Sequence, residues 1–166
     1  FGDHRNFPND HRAVVDAIIR RSELQGWPRF ALDTGDFTGN GEHKTDFWNE
    51  QFFKPERGLI SRVCFFPVIG NHECGYRHPR IPFRYLKNFS VPTDRSGTEY
   101  YYSFDFADSH FCMIDAYATE FTTETKQYEW IRQDLKKCDK RWRFAALHFP
   151  PFVDRKAPTV SYGNLP

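Results

Sequence analysis

Val63-Cys64-Phe65-Phe66-Pro67-Val68-Ile69 is an unbroken apolar run that stops at Gly70-Asn71-His72-Glu73. A strand covered on both faces needs no polar alternation, so a short continuous run of this kind reads as a buried strand of a parallel sheet. Phe30-Ala31-Leu32 repeats the pattern in shorter form and halts at Asp33-Thr34-Gly35-Asp36. Phe144-Ala145-Ala146-Leu147 halts in the same way at His148. Each run therefore delivers a polar residue at its carboxyl end.

Between the runs lie helical patterns. Asp10 to Leu24 starts at a capping residue, spaces Val14, Val15, Ile18 and Ile19 on one face, and meets Gly26 just past its end. A second helix is expected from Thr45 to Phe53, with Phe47, Trp48 and Phe52 as its apolar side and Pro55 closing it. Residues 75–98 are rich in Arg, Pro and aromatics without periodicity, which predicts a long surface loop with one helical turn around Tyr85. Tyr100 to Phe106 and His110 to Ile114 form an expected hairpin across Ala107-Asp108-Ser109, and the Tyr100-Tyr101-Tyr102 run suits cross-strand contacts. A helix from Thr123 to Cys138 then offers Tyr128, Trp130, Ile131 and Leu135 for burial. Short strands alternating with helices predict an α/β sandwich with mixed, largely parallel sheets flanked by helices. In such sheets ligands bind beyond the carboxyl ends of the strands, where Asp3, Asp36, Asn71-His72, Asp115 and His148 fall.

Totals narrow the class. The 166 residues, 39% hydrophobic and 18% aromatic, suffice for one domain with a sizeable core. Basic and acidic residues number 23 and 22, which gives no polybasic footprint for nucleic acid. No apolar run has the length of a membrane span and no signal-peptide order is present, so a soluble chain is expected. Cys64, Cys74, Cys112 and Cys138 are too scattered for a disulfide framework or zinc ribbon and are expected as free thiols.

Asp, Asn and His at strand ends form a mixed oxygen and nitrogen donor set, suited to Mn, Fe or Zn rather than to an all-oxygen calcium site. A glycine before Asp3, Asp36 and Asn71 allows a sharp turn out of the strand and close approach of backbone. Two such ions would activate water and clamp a phosphoryl group. Phe1-Gly2-Asp3, Thr34-Gly35-Asp36, Val68-Ile69-Gly70-Asn71-His72-Glu73 and Leu147-His148-Phe149-Pro150-Pro151, in this order, resemble the calcineurin-like metallophosphoesterases, most closely the branch similar to purple acid phosphatases. The resemblance runs from residue 1 to about residue 152.

That resemblance implies a dinuclear centre of two divalent or mixed-valence ions acting on a small phosphorylated substrate. Asp3 would bind one ion, Asp36 would bridge both, and Asn71 and His148 would bind the second. His72 would contact the phosphate and protonate the leaving oxygen as a metal-bound hydroxide attacks a phosphomonoester or phosphodiester. The departures are as informative. Arg5 stands where many members carry a His ligand, and its permanent charge suits it to phosphate instead. Gly39 replaces the iron-ligating Tyr, so a purple colour is not expected, and Phe149 replaces a frequent second His.

The family's later Gly-His-x-His block does not occur, which leaves the first ion with only Asp3 and the shared Asp36. Starting at Phe1 and ending at Pro166, residues 1–166 are therefore expected to be one metallophosphoesterase domain truncated at both ends. The alternative is a non-catalytic domain of the same fold that binds a partner or a single ion. Asp33 and Asp115 are expected to hydrogen-bond loop backbone, Cys74 to pack, and Asn40 either to orient His72 or to serve a turn. His4, His11, His43, His78 and His110 lack ligand spacing and are expected at surface or satisfied positions.

Overall fold

The computed structural model describes residues 1–39, 45–74, 80–120 and 122–150. Asn40, His43, His78 and Pro151 lie outside the described residues. Helix α1 spans Pro8–Gln25, β1 Phe30–Asp33, and α2 Thr45–Phe47, which continues through a π-helical segment Trp48–Phe53 into α3 Lys54–Ile60. Strand β2 covers Cys64–Pro67, α4 Phe83–Asn88, β3 Tyr102–Phe106, β4 Ser109–Met113, α5 Lys126–Lys137 and β5 Trp142–Ala146. The α/β reading holds: β1 and β2 pair in parallel, and β3, β4 and β5 form a mixed sheet in which β4–β5 is parallel.

Three expectations about elements are corrected. Helix α1 begins at Pro8 rather than at Asp10, because a proline in the first turn forfeits no helical hydrogen bond. Pro55 does not close the second helix; it sits in the first turn of α3, and the chain stays helical through it. The π-helical turn absorbs the break, with the Lys54 N–H reaching back to Asn49 O. The carbonyl that Pro55 cannot serve, Gln51 O, accepts instead from His11 Nδ1 at 3.1 Å. In α5 the expected apolar face is only half covered: Gln127 is its buried residue and Leu135 is exposed. Thr125 caps that helix, accepting from the Tyr128 N–H at 3.3 Å.

The two sheets share a core. Phe66 of β2 stacks on Phe104 of β3 with centroids 3.8 Å apart, and the stack continues through Phe111 to Phe144. Val68, Tyr102 and Met113 fill the space beside it. On the far side of β1 and β2, α1 and α3 bury Val15, Leu59 and Val63. Near the strand ends Phe37, Trp48, Phe52, Ile69 and Tyr85 make an aromatic cluster. The hydroxyls of Tyr85 and Tyr102 both donate to Pro67 O, at 3.1 and 2.8 Å, which pins the end of β2 between them.

All four cysteines are free, and no helix among the described residues is long and apolar enough to cross a membrane. His11 and His110 are satisfied, as expected, and buried, whereas His4 pairs through Nε2 alone and its buried Nδ1 has no hydrogen-bond partner among the described residues. His4 lies 2.8 Å from Asp33 and stacks on His11 at 3.8 Å; His11 reaches Glu56 at 2.5 Å. His110 joins Asp105 and Asp134 at 2.7 and 2.9 Å.

The ends of the first strands are pressed together by glycines. Segment 1–3 runs beside the end of β1, with the Thr34 N–H donating to Phe1 O at 2.9 Å and the Asp3 N–H to Gly35 O at 2.8 Å. Gly35 has φ +93°, and a Cβ there would lie 2.6 Å from the backbone nitrogen of Gly70. Gly97 has a similar φ, +72°, with nothing near it. Gly97→Ala should therefore cost only the left-handed backbone penalty, about 1–2 kcal/mol. Gly35→Ala should cost clearly more in urea unfolding, because it also drives two strand ends apart; equal costs would show that the contact is not tight.

Candidate metal centre

Asp36 lies three residues past β1, Asn71 and His72 lie four and five past β2, and His148 lies two past β5. The fold thus brings side chains distant in sequence together at the carboxyl ends of strands from both sheets. Asp36 is held there with φ 60°, and Asp3 with φ 57°, both in the left-handed region that non-glycine residues enter at a cost. Strain coincides with two of the expected ligands.

Asp36 is almost fully buried, with 1% of its side chain exposed. Its Oδ1 accepts the His72 N–H at 3.0 Å, which fixes the carboxylate's rotation. Its Oδ2 faces His148 Nε2 at 3.4 Å and contacts Arg5 Nη1. His148 Nε2 also lies 3.1 Å from Asn71 Oδ1, while His148 Nδ1 donates to Thr34 O at 2.8 Å. A backbone acceptor on Nδ1 directs the Nε2 lone pair toward the two oxygens, the arrangement by which proteins aim an imidazole at a metal. Two oxygens and a lone pair converging on one point repel unless a cation or proton sits among them. Burial acts to lower the His148 pKa, but the hydrogen bond to Asp36, the charge of Asp36, the Thr34 carbonyl and the charge of Glu73 together raise it above the ordinary histidine value. For Asp36, burial acts upward, yet the hydrogen bond and charge of His148, the His72 N–H and Arg5 together hold the carboxyl below its usual range.

Asp36, Asn71 and His148 can thus hold one cation between them. Among the described residues no group of three or more His, Cys, Asp or Glu side chains makes such a site; here the third donor is an amide. The position expected for the other ion is different. Asp3, with 62% of its side chain exposed, meets Asp36 through Arg5, whose Nη1 contacts both carboxylates. Arg5 therefore belongs to the cluster but lies on its anions. His72 Nδ1 donates to Gly39 O at 2.6 Å, and its Nε2 stands 3.9 Å from Asp36 Oδ2. A Cβ at Gly39 would run into the end of the Asn6 side chain, which would have to shift to admit a larger residue. Phe149 packs on Tyr117 with centroids 5.6 Å apart.

Glu73 was not singled out from the sequence, yet it organises the cluster. Fully buried, it accepts the Asp36 and Gly70 N–H groups at 2.8 and 2.9 Å through Oε2 and the Phe37 N–H at 2.9 Å through Oε1. Burial first, then the charge of Asp36, pushes its pKa up to about 8, against the pull of these three donors. Its signal in the sequence was its place at the end of the Gly70-Asn71-His72-Glu73 block. Asp33 and Asp115 behave as expected: Asp33 accepts from the Gly35 N–H at 2.9 Å, and Asp115 takes the N–H groups of Tyr117, Ala118 and Thr119 at 2.6–2.9 Å.

Known proteins are similar to this chain. The family model for calcineurin-like phosphoesterases matches residues 2–164. Purple acid phosphatase 23 of Arabidopsis thaliana is 36% identical over 115 residues, covering 66% of this chain and 24% of that protein. Purple acid phosphatase 22 of the same plant is 34% identical over 150 residues, covering 85% of this chain and 33% of that protein. A solved purple acid phosphatase from yellow lupin (Lupinus luteus) seeds has a TM-score of 0.71 at 19% identity, over 87% of this chain and 28% of that one, which is a likeness of fold. The chain spans about a quarter of the length of the curated relatives it matches.

Glu73→Gln keeps shape and removes one acceptor oxygen, putting an amide NH₂ against backbone N–H groups. One buried donor left without a partner costs about 1–3 kcal/mol. Urea unfolding should register that loss, and an unchanged midpoint would mean that the three N–H groups do not depend on Glu73.

Proposed function

The chain belongs to the calcineurin-like phosphoesterase family, and on that premise we propose that it is a metal-dependent hydrolase of small phosphomonoesters or phosphodiesters. The observation that supports this most directly is the approach of Asn71 Oδ1 and Asp36 Oδ2 to His148 Nε2, at 3.1 and 3.4 Å. These three residues are the proposed holders of a divalent ion such as Mn, Fe or Zn. The ion would supply Lewis-acid polarisation of a phosphoryl oxygen and lower the pKa of a water bound to it.

The rest of the reaction falls to the chain's own side chains. The Thr34 carbonyl keeps a proton on His148 Nδ1 and so keeps its Nε2 for the ion. The Gly39 carbonyl does the same for His72 Nδ1, which leaves His72 Nε2, beside Asp36, as the nitrogen that holds a second proton. Delivered to the departing alkoxide, that proton makes His72 the general acid, a role typically worth about 10²–10⁴-fold in rate. The buried, pre-rotated Asp36 carboxylate needs no rearrangement when charge develops at the site.

One observation favours a second reading. Arg5 lies between Asp3 and Asp36, where the family resemblance calls for an ion. A domain that binds one ion and does not turn over would show this arrangement too.

Metal analysis of the purified protein, with p-nitrophenyl phosphate and bis-p-nitrophenyl phosphate hydrolysis in Mn, Fe or Zn, separates the two. His72→Ala should lower turnover by about 10²–10⁴-fold while metal content stays at the wild-type level. Asn71→Ala and His148→Ala should lose metal and turnover together. Metal uptake without hydrolysis by the wild type would favour the non-catalytic domain, and metal loss in His72→Ala would make His72 a ligand.

A further inference from the structure

Asp3 and Asp36 bring two carboxylates to one place with a guanidinium between them. Arg5 Nη1 touches Asp3 Oδ1 and Asp36 Oδ2, so a single nitrogen serves both anions. The neighbourhood is sheltered: Arg5 keeps 27% of its side chain exposed and Asp36 1%. Two carboxylates this close, one of them buried, repel unless a cation compensates them. A divalent ion could do that by dissociable coordination; an arginine does it permanently, because its guanidinium does not deprotonate in proteins.

The donor set at this position does not fit a second ion. Of the residues expected to hold it, Asp3 and Asp36 are both already engaged by Arg5. The third, two positions after Asp3, is Arg5 itself, which has donors and no lone pair to offer. An incoming ion would have to expel the guanidinium from its two anions and leave it half-sheltered and unpaired. By contrast, the neighbouring Asn71 Oδ1 and His148 Nε2 carry lone pairs that face each other at 3.1 Å and do want a cation.

We infer that Arg5 stands in for a second metal ion, so that the site takes one exchangeable ion and one fixed positive charge. This rests on the hydrolase reading above only for the ion at Asp36, Asn71 and His148. Both contacts of Arg5 use Nη1, and among the described residues Nη2 and Nε have no hydrogen-bond partner. Those nitrogens are donors directed at neither carboxylate, and they suit a phosphoryl oxygen, to which a guanidinium binds in a forked geometry. The guanidinium thus neutralises the paired carboxylates and presents its remaining donors to the substrate anion.

The test compares wild type, Arg5→His, Arg5→His combined with Asp3→Asn, and Arg5→Gln, by counting Mn²⁺ ions per chain in equilibrium dialysis and by thermal unfolding in chelator. Arg5→His, which exchanges the cation for a ligand, should bind one more ion than the wild type, and adding Asp3→Asn should remove that extra ion. Arg5→Gln, which keeps a hydrogen-bond donor but loses the charge, should unfold at lower temperature than the wild type in chelator. It should also recover more than the wild type does when Mn²⁺ is restored. Equal ion counts for wild type and Arg5→His would overturn the inference, as would an unfolding temperature for Arg5→Gln that matches the wild type in chelator. A wild type that binds no ion would sink the hydrolase reading instead, and the difference between wild type and Arg5→His would still decide the role of Arg5.

Discussion

The contact between Gly35 and Gly70, tied across by Glu73, is the constraint on which the rest of the site depends. Strands β1 and β2 are parallel neighbours, and their carboxyl ends must close to within backbone contact before Asp36 and Asn71 can share a ligand. Glycine removes the Cβ that would hold the ends apart. Glu73 then takes one N–H from the β2 end and two from the β1 end. The first turn after β2 is thereby joined to the loop after β1, and the His72 N–H is delivered to Asp36 Oδ1 as part of the same closure. The left-handed backbone of Asp36 is affordable because so many hydrogen bonds over-determine it.

Closure of this kind concentrates negative charge. Asp33, Asp36 and Glu73 are all buried around the carboxyl ends of β1 and β2, and burial opposes the ionised form of each. The structure answers with different devices. Glu73 is given backbone N–H groups, Asp33 a turn N–H and His4, and Asp36 a histidine and an arginine. Only Asp36 is compensated by groups that also face the donor cluster. That asymmetry distinguishes the chemical carboxylate from the structural ones more sharply than burial does, since all three are buried alike.

How much of this could be read from residues alone varied with the range of the interaction. Runs 30–32 and 63–69 were legible as strands because a doubly covered strand writes itself as a continuous apolar stretch, and β1 and β2 pair there, Phe30 opposite Cys64 through Asp33 opposite Pro67. Asp36, Asn71 and His148 were legible because each follows such a run directly. Glu73 was missed because its partners are backbone groups, which leave no side-chain pattern. The continuation of helix through Pro55 was missed because the rule that proline ends a helix assumes an unshifted hydrogen-bond ladder; a π-helical turn and the side chain of His11 supply the exception. His4 and His11 could be placed no more closely than at surface or satisfied positions, since their carboxylates, Asp33 and Glu56, lie 29 and 45 positions away. Arg143 interrupts the apolar run between Trp142 and Phe144 and so shortened the expected strand.

Arg5 shows how a departure from a pattern becomes informative only with geometry. In the sequence it marked the loss of a ligand and invited assignment to the substrate. In the fold it lies between the two carboxylates whose mutual repulsion the lost ligand and its ion would otherwise have managed. A guanidinium cannot polarise a bound water as a Lewis acid does, so on the proposed reading that chemistry would fall to an ion held by Asp36, Asn71 and His148. What it provides is a charge that neither dissociates with metal supply nor titrates with pH. On the proposed reading, such a site keeps one of its three positive charges in the chain itself, and its dependence on metal concentration would be set by one ion alone.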